Sequence, residues 1–196
     1  MNTTRTLLIS ILGAALGAGP VLAAETVLTF EPQTTEIHWT LDTLLHTVHG
    51  TFKLKSGTVA FDPANGKASG RLLVSALSGE SGSESRDERM HKSILESAKY
   101  DEIAFTPDRV EGAVPAQGAS TIQVHGLFRL HGADHEMTLP MQINVEPSRI
   151  TATTKFDIPY IKWGLKNPST FVLRVGDKVE IEIHAVGRVG AASPVH

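Results

Sequence analysis

Apolar and polar residues alternate one for one through long stretches of the C-terminal half of the chain. Successive side chains of a β-strand point to opposite faces, so this period of two predicts strands with one dry face and one wet face. The chain is therefore predicted to be a meander of antiparallel strands. The predicted dry faces carry Ile122, Val124, Gly126, Phe128 and Leu130; Met137, Leu139, Met141, Ile143 and Val145; Ile150, Ala152, Thr154, Phe156 and Ile158; and Val179, Ile181, Ile183 and Ala185.

The alternation is less regular in the first half, where turn sequences help to divide the strands. Lys55-Ser56-Gly57 and Pro63-Ala64-Asn65-Gly66 have turn composition, and each is expected to end a strand. Strand edges left exposed in such a meander would permit a homodimer. The predicted strands are 36–41, 48–53, 58–61, 69–77 and 101–110.

One segment has helical rather than strand periodicity. Met90, Ile94 and Ala98 recur four residues apart, and Ser85 with Glu88 has the spacing of a capping box. We therefore expect a short helix from Ser85 to about Ala98.

The one-sided strands limit the possible architectures. One short helix is too small to cover the apolar face of about eight strands, so the sheet must curl into a barrel or fold into a sandwich. Long strands favour the barrel, whose interior holds packed side chains or one small guest. Small inward residues, namely Gly126, Ala152 and Ala185, are expected to leave volume there. The predicted fold is all-β, an antiparallel, roughly eight-stranded lipocalin-like barrel with one short helix at its mouth.

The first 24 residues have the pattern of a secretory signal peptide. Arg5 precedes an apolar stretch from Leu7 to Leu16, and small residues end the segment near Ala24. Residues 25–196 then form one domain, expected to be exported to a periplasm.

Composition excludes several classes of function. The 196 residues contain no cysteine, which rules out disulfides, zinc–thiolate sites and thiol nucleophiles. A formal net charge of −3 argues against nucleic acid as a partner.

Several ordered sequence blocks resemble the YceI-like family. They are Val48–Phe52, Gly57–Asp62, Arg86–His91 leading to Tyr100–Phe105, Val124–Gly132 and Trp163-Gly164. Asp134-His135 departs from the Thr-Lys that is usual in this family. The resemblance implies that residues 25–196 are an exported, lipocalin-like, lipid-binding β-barrel domain that binds a polyisoprenoid.

The function expected from this resemblance is binding, storage or transport of a long isoprenoid lipid, of the polyprenyl or quinone type, without catalysis and without a cofactor. Transient contact with a membrane would accompany it. Each of the candidate lining residues could equally pack on its neighbours as plain core. These candidates are Ile122, Val124, Phe128, Met137, Met141, Phe156 and Ile158.

The predicted helix offers polar groups for the head of a lipid. Arg86, Arg89 and His91 would meet it if the helix lies over the barrel mouth, although such a run of charge is more often a solvated face.

Nine histidines support an alternative, a metal- or haem-binding protein with a redox or stress-related role. Loops could gather His46, His49 and His91 as ligands, whereas isolated surface imidazoles are the simpler interpretation. His135-Glu136 begins like a zinc-protease motif, but Leu139 stands where the second histidine is required.

Overall fold

The structure, a computed structural model, describes residues 25–170 and 174–191. These residues form nine β-strands, a short 3-10 turn over Pro32–Thr34 and one longer helical segment. A helical turn, α1, spans Glu84–Arg89 and continues as a wider, π-helical turn over Met90–Ile94. The predicted signal peptide lies outside the described residues. The strands are β1 (Thr26–Phe30), β2 (Glu36–Asp42), β3 (Thr47–Phe61), β4 (Ala68–Glu80), β5 (Glu102–Glu111), β6 (Gly118–Leu130), β7 (Ala133–Val145), β8 (Arg149–Ile158) and β9 (Val179–Ala191).

The strands close into a ring in which every pairing is antiparallel. Two short strands share one position of this ring. β1 and β2 both lie between β3 and β9. β1 pairs with the C-terminal ends of β3 and β9, and β2 pairs with their N-terminal ends. The nine strands therefore occupy eight positions, which confirms the predicted antiparallel barrel.

Inward and outward residues alternate as the sequence predicts. In β6, Val124, Phe128 and Leu130 are buried, whereas Leu127 and Arg129 between them are exposed. The same alternation runs through β7 and β8. The dry faces thus converge on the barrel interior, and removing this apolar surface from water drives the closure.

Three local predictions are wrong. Lys55-Ser56-Gly57 is not a turn, because β3 runs through it with a register shift between Leu54 and Ser56. The helical segment stops at Ile94 rather than Ala98, and Ser85 is not its N-cap, since Ser83 holds that position. The sheet of the described residues also has no fully exposed edge strand, because it closes on itself; the homodimer stays a prediction.

The two ends of the barrel differ. At one end, which we call the hairpin end, short turns join β3 to β4, β5 to β6 and β7 to β8. At the other, the covered end, the helical segment joins β4 to β5, and a long connection joins β8 to β9. We call residues 84–94 and 159–170 the cover. No helix in the described part of the chain has the length and hydropathy of a membrane span.

Trp39 packs against Gly50, its cross-strand partner, near the covered end. A Cβ at Gly50 would lie 2.1 Å from the carbonyl oxygen of Glu80 and 2.3 Å from the Trp39 ring. No side chain fits there without moving the backbone or the indole.

We therefore expect Gly50→Ala to lower the free energy of unfolding by about 1–3 kcal/mol through overpacking. Gly190→Ala is the matched control, because a Cβ there would lie 3.7 Å from its nearest neighbour, the Val27 carbonyl oxygen. Urea denaturation of both variants measures the difference. Equal midpoints for the two variants would contradict the packing described.

Candidate functional site

An apolar cavity occupies the barrel interior, with a volume of about 160 Å³. It runs from the middle of the barrel toward the hairpin end, and all nine strands contribute to its wall. Its lining includes Leu28, Phe30, Ile37, Leu54, Val59, Phe61, Leu72, Val74, Ile103, Phe105, Pro107, Val110, Ile122, Val124, Phe128, Leu139, Met141, Ile143, Ile150, Ala152, Phe156, Ile183 and Ala185.

The polar side chains in this wall already have partners. Thr154 Oγ1 donates a hydrogen bond to the Pro140 carbonyl oxygen over 2.6 Å, and Thr35 Oγ1 donates to the Glu31 carbonyl oxygen over 2.8 Å. Among the described residues, no charged side chain lines the cavity. The wall therefore presents hydrocarbon and bonded hydroxyls, which suits an apolar guest and holds no pair of groups for acid–base chemistry.

Five of the seven predicted lining residues face the cavity. These are Ile122, Val124, Phe128, Met141 and Phe156. Ile158 and Met137 lie nearer the covered end, where Ile158 is buried in the core and Met137 packs partly exposed against it.

The small residues behave differently from one another. Ala152 and Ala185 are cross-strand partners, and both line the cavity. Gly126 adds no volume, because a Cβ there would lie 2.4 Å from the Thr106 carbonyl oxygen and 2.9 Å from the Phe105 ring. Its expected contribution to an internal void is therefore wrong: the glycine lets β5 approach β6.

Most lining residues that the sequence analysis missed lie on β1, β3, β4 and β5. They include Leu28, Val59, Leu72 and Pro107. Alternation is interrupted there by the register shift in β3, by a second shift near Pro107 in β5 and by the interposed turn between β1 and β2. In these segments the alternation therefore extends over too few residues to show which side chains face the interior.

The barrel wall is split between β7 and β8 toward the covered end. Their ladder runs from Val145–Ile150 only as far as Met141–Thr154. Beyond this pair, the described ladders join β7 to β6 alone and β8 to β9 alone. Pro140, the next residue of β7, has no backbone N–H to donate. We call this split the β7–β8 gap.

An aromatic group lies beside the β7–β8 gap. The ring of Trp163, from the cover, stacks on the imidazole of His135 with centroids 3.9 Å apart and planes 4° apart. Trp163 also lies 5.9 Å from the Phe128 ring, and Phe128 in turn lies 6.2 Å from Phe156. Because Phe128 and Phe156 line the cavity, this group connects the cavity to the gap.

The three residues predicted to meet a head group are bonded to the chain itself. Arg86 Nε donates to Ser81 Oγ over 2.7 Å, and Arg89 Nη2 donates to the Pro168 carbonyl oxygen over 2.9 Å. His91 Nε2 lies 2.9 Å from the Gly79 carbonyl oxygen, which can only accept. These contacts hold the cover in place, and a role in binding a head group stays a prediction.

Glu96 lies two residues past the first cover segment and connects the second cover segment to the barrel. Its carboxylate accepts a hydrogen bond from His131 Nε2 over 3.0 Å and lies 3.7 Å from Lys166 Nζ. The hydrogen bond from His131 holds the pKa of Glu96 below its ordinary value. The turn between β6 and β7 is thereby connected to the second cover segment and to the stretch of chain that follows the first.

The histidines are not assembled as a metal site. His49 Nδ1 lies 3.1 Å from Thr40 Oγ1 on the outer wall, and His91 Nδ1 lies 2.9 Å from Ser97 Oγ. In residues 25–170 and 174–191, no three histidine, aspartate or glutamate side chains are grouped so that they could hold a metal ion. The suggested gathering of His46, His49 and His91 is therefore wrong, because the first two lie on the outer hairpin of β2 and β3.

Known proteins resemble this chain in both sequence and fold. A UPF0312 protein of Pseudomonas savastanoi is 32% identical over 136 residues, covering 68% of this chain and 69% of the relative. BcnA of Burkholderia cenocepacia has a TM-score of 0.65 at 16% identity, covering 80% of this chain and 98% of its own. A polyisoprenoid binding domain from Saccharophagus degradans has a TM-score of 0.61 at 13% identity, covering 83% and 98%.

At such low identities the structural matches establish the fold alone. The family is established by sequence, since the family model of the YceI-like domain matches residues 28–187, nearly the whole barrel. This protein belongs to the YceI-like domain family.

Proposed function

We propose that this protein binds, stores or carries a long-chain isoprenoid lipid, of the polyprenyl or quinone type, with its tail in the barrel cavity. The observation that carries the proposal is a wall of hydrocarbon in which both threonine hydroxyls are already bonded. A tail gains roughly 0.8 kcal/mol for each methylene removed from water. The shared fold with a polyisoprenoid binding domain supports this choice of guest.

The size of the cavity limits what it takes without rearrangement. Its volume of about 160 Å³ is close to the ~150 Å³ of an apolar cavity that holds one benzene molecule. One isoprene unit is of similar size, so a longer tail needs side chains to move. Met141 in the wall and Met137 beside it have flexible thioether side chains that can repack around such a tail.

The proposed action is carriage without catalysis, in a periplasm. The described lining holds no free nucleophile and no carboxylate or imidazole. The signal-peptide pattern of residues 1–24 supports export. In that aqueous compartment, an enclosed apolar cavity would shield the tail from water.

A carrier must also meet the membrane that supplies its guest. Leu44 and Leu45, at the tip of the β2–β3 hairpin at the covered end, are 70% and 71% exposed. Two hydrogen bonds hold the tip in place. Leu44 N donates to the Arg174 carbonyl oxygen over 3.0 Å, and Thr43 Oγ1 donates to the His46 carbonyl oxygen over 2.5 Å. We infer that these leucines insert into a bilayer, with the exposed Arg174 beside the lipid head groups.

Native mass spectrometry of protein purified from the periplasm, combined with organic extraction, tests the main proposal. We expect a hydrophobic guest of isoprenoid mass that extraction removes and that added polyprenol or quinone replaces. Folded protein that carries no such guest and takes up neither lipid would refute it.

Phe128→Glu and Met141→Lys should abolish lipid uptake, because each places an unpaired charge in the apolar cavity. Leu127→Glu and Gln142→Lys are matched controls on the outward faces of the same strands. Uptake of fluorescent polyprenol measures the effect. Normal uptake by both inward variants would place the binding site elsewhere.

Filling the cavity tests the same site without a buried charge. Ala152→Leu and Ala185→Leu add apolar volume where two small cross-strand partners line the cavity. Each should fold, as circular dichroism will check, and should bind polyprenol at least tenfold more weakly, a loss of about 1.4 kcal/mol. Unchanged affinity in folded variants would argue against a tail at this position.

The Leu44→Ser/Leu45→Ser double variant should bind vesicles of phosphatidylethanolamine and phosphatidylglycerol about tenfold more weakly, because it removes the two apolar anchors. Leu77→Ser is the control, since Leu77 is 59% exposed on β4 rather than at the tip. Vesicle co-sedimentation measures the partitioning. An equal loss in both variants would mean that the hairpin tip has no special role.

A further inference from the structure

His135 has a buried nitrogen that no described residue satisfies. Its Nε2 atom is inaccessible to solvent and makes no hydrogen bond. Leaving such a group unpaired is unfavourable, so a guest atom that pairs with it would be stabilised there.

The position of this histidine connects it with the cavity. His135 has the inward parity of Met137, Leu139 and Met141 on β7, and its cross-strand partner is the cavity residue Phe128. It lies in the part of β7 that β8 does not pair with, so it borders the β7–β8 gap. Trp163 of the cover stacks on its ring.

We propose that His135 Nε2 binds the polar end of the guest at the β7–β8 gap, and that this end is an uncharged oxygen, a hydroxyl or a carbonyl. The inference rests on the proposed function and specifies which chemistry the site accepts beyond the tail. A neutral imidazole nitrogen donates to a carbonyl oxygen in one tautomer and accepts from a hydroxyl in the other. Either partner would satisfy the unpaired atom.

The charges nearby favour an uncharged oxygen over a diphosphate. A desolvated diphosphate needs several cations with free donors. Arg129 lies across the ladder from Asp134, and both are on the outer face. Their bidentate contact, with nitrogen–oxygen distances of 2.6 and 2.7 Å, already occupies that guanidinium. Lys166 of the cover is paired with Glu96.

The β7–β8 gap also provides the route between this polar position and the tail. Trp163 contacts both His135 and Phe128, and Phe128 faces the cavity. A guest whose oxygen lies at His135 would extend its chain past Phe128 and Phe156 into the lumen. Trp163 then forms the outer side of the polar position and must move, or lie against the guest, when a guest binds.

The test compares four probes in a Trp39→Phe background, in which Trp163 is the remaining one of the two tryptophans. The probes are geranylgeraniol, a quinone with the same isoprenoid tail, geranylgeranyl diphosphate, and the hydrocarbon of that tail without oxygen. Trp163 fluorescence measures the affinity for each probe. His135→Phe removes the nitrogen and retains a ring that can stack on Trp163. Glu136→Gln is the control, because Glu136 is the next residue of β7 and is exposed on the outer face.

In the background protein we expect the alcohol, the quinone or both to bind about tenfold more tightly than the hydrocarbon, as one buried hydrogen bond provides. The diphosphate should bind more weakly than the alcohol. His135→Phe should lose this preference and keep its affinity for the hydrocarbon, whereas Glu136→Gln should keep both. If the affinity for the alcohol falls in His135→Phe, the natural guest presents a hydroxyl; if the affinity for the quinone falls, it presents a carbonyl.

Three outcomes would overturn the inference while leaving a tail-binding function intact: equal affinity for the alcohol, the quinone and the hydrocarbon, an unchanged preference in His135→Phe, or tightest binding of the diphosphate. Failure of the Trp39→Phe protein to bind any of the four probes, repeated with the wild-type chain by native mass spectrometry, would instead overturn the proposed function itself.

Discussion

Closure of the sheet is the constraint on which the rest of the structure depends. A sheet with one apolar face must hide that face, and here β3 and β9 achieve this because each is long enough to pair with both short first strands. The hydrophobic effect favours closure but is non-directional, whereas the hydrogen-bonded ladders determine which strands pair and in which register. Once the ring is complete, the inward residues of every strand share one volume, and a cavity remains where those side chains are small or diverge.

The alternation of residues predicted the parts of this arrangement that local pattern determines. From β6 to β9 it placed each residue on the correct face, including Phe128 and Met141, which line the cavity. It did not predict that β3 is continuous, because a bulge and a turn have similar composition. Nor did it predict the β7–β8 gap or the stacking of Trp163 on His135, since strand separation depends on partners distant in the chain. Pro140 marks the gap locally, but prolines also occur at the first residue of a strand and at bulges, so this residue alone does not predict a split wall.

The surplus of histidines has a structural role on the outer wall. Three of them face a threonine directly across a ladder: His49 with Thr40, His125 with Thr138 and His184 with Thr153. In each pair Nδ1 lies within 3.2 Å of the threonine hydroxyl. Such cross-strand pairs stabilise neighbouring strands. Imidazoles distributed in this way around a barrel are too far apart to share a ligand.

Both long connections emerge from the same end of the barrel, so the cover and the wall are largely separate pieces of architecture. Residues can be inserted into or removed from the β4–β5 and β8–β9 connections without shifting any ladder. Descendants of one ancestral chain can therefore change the cover while inheriting the same interior. The length and composition of the covering segments can diverge independently of the residues that face the interior.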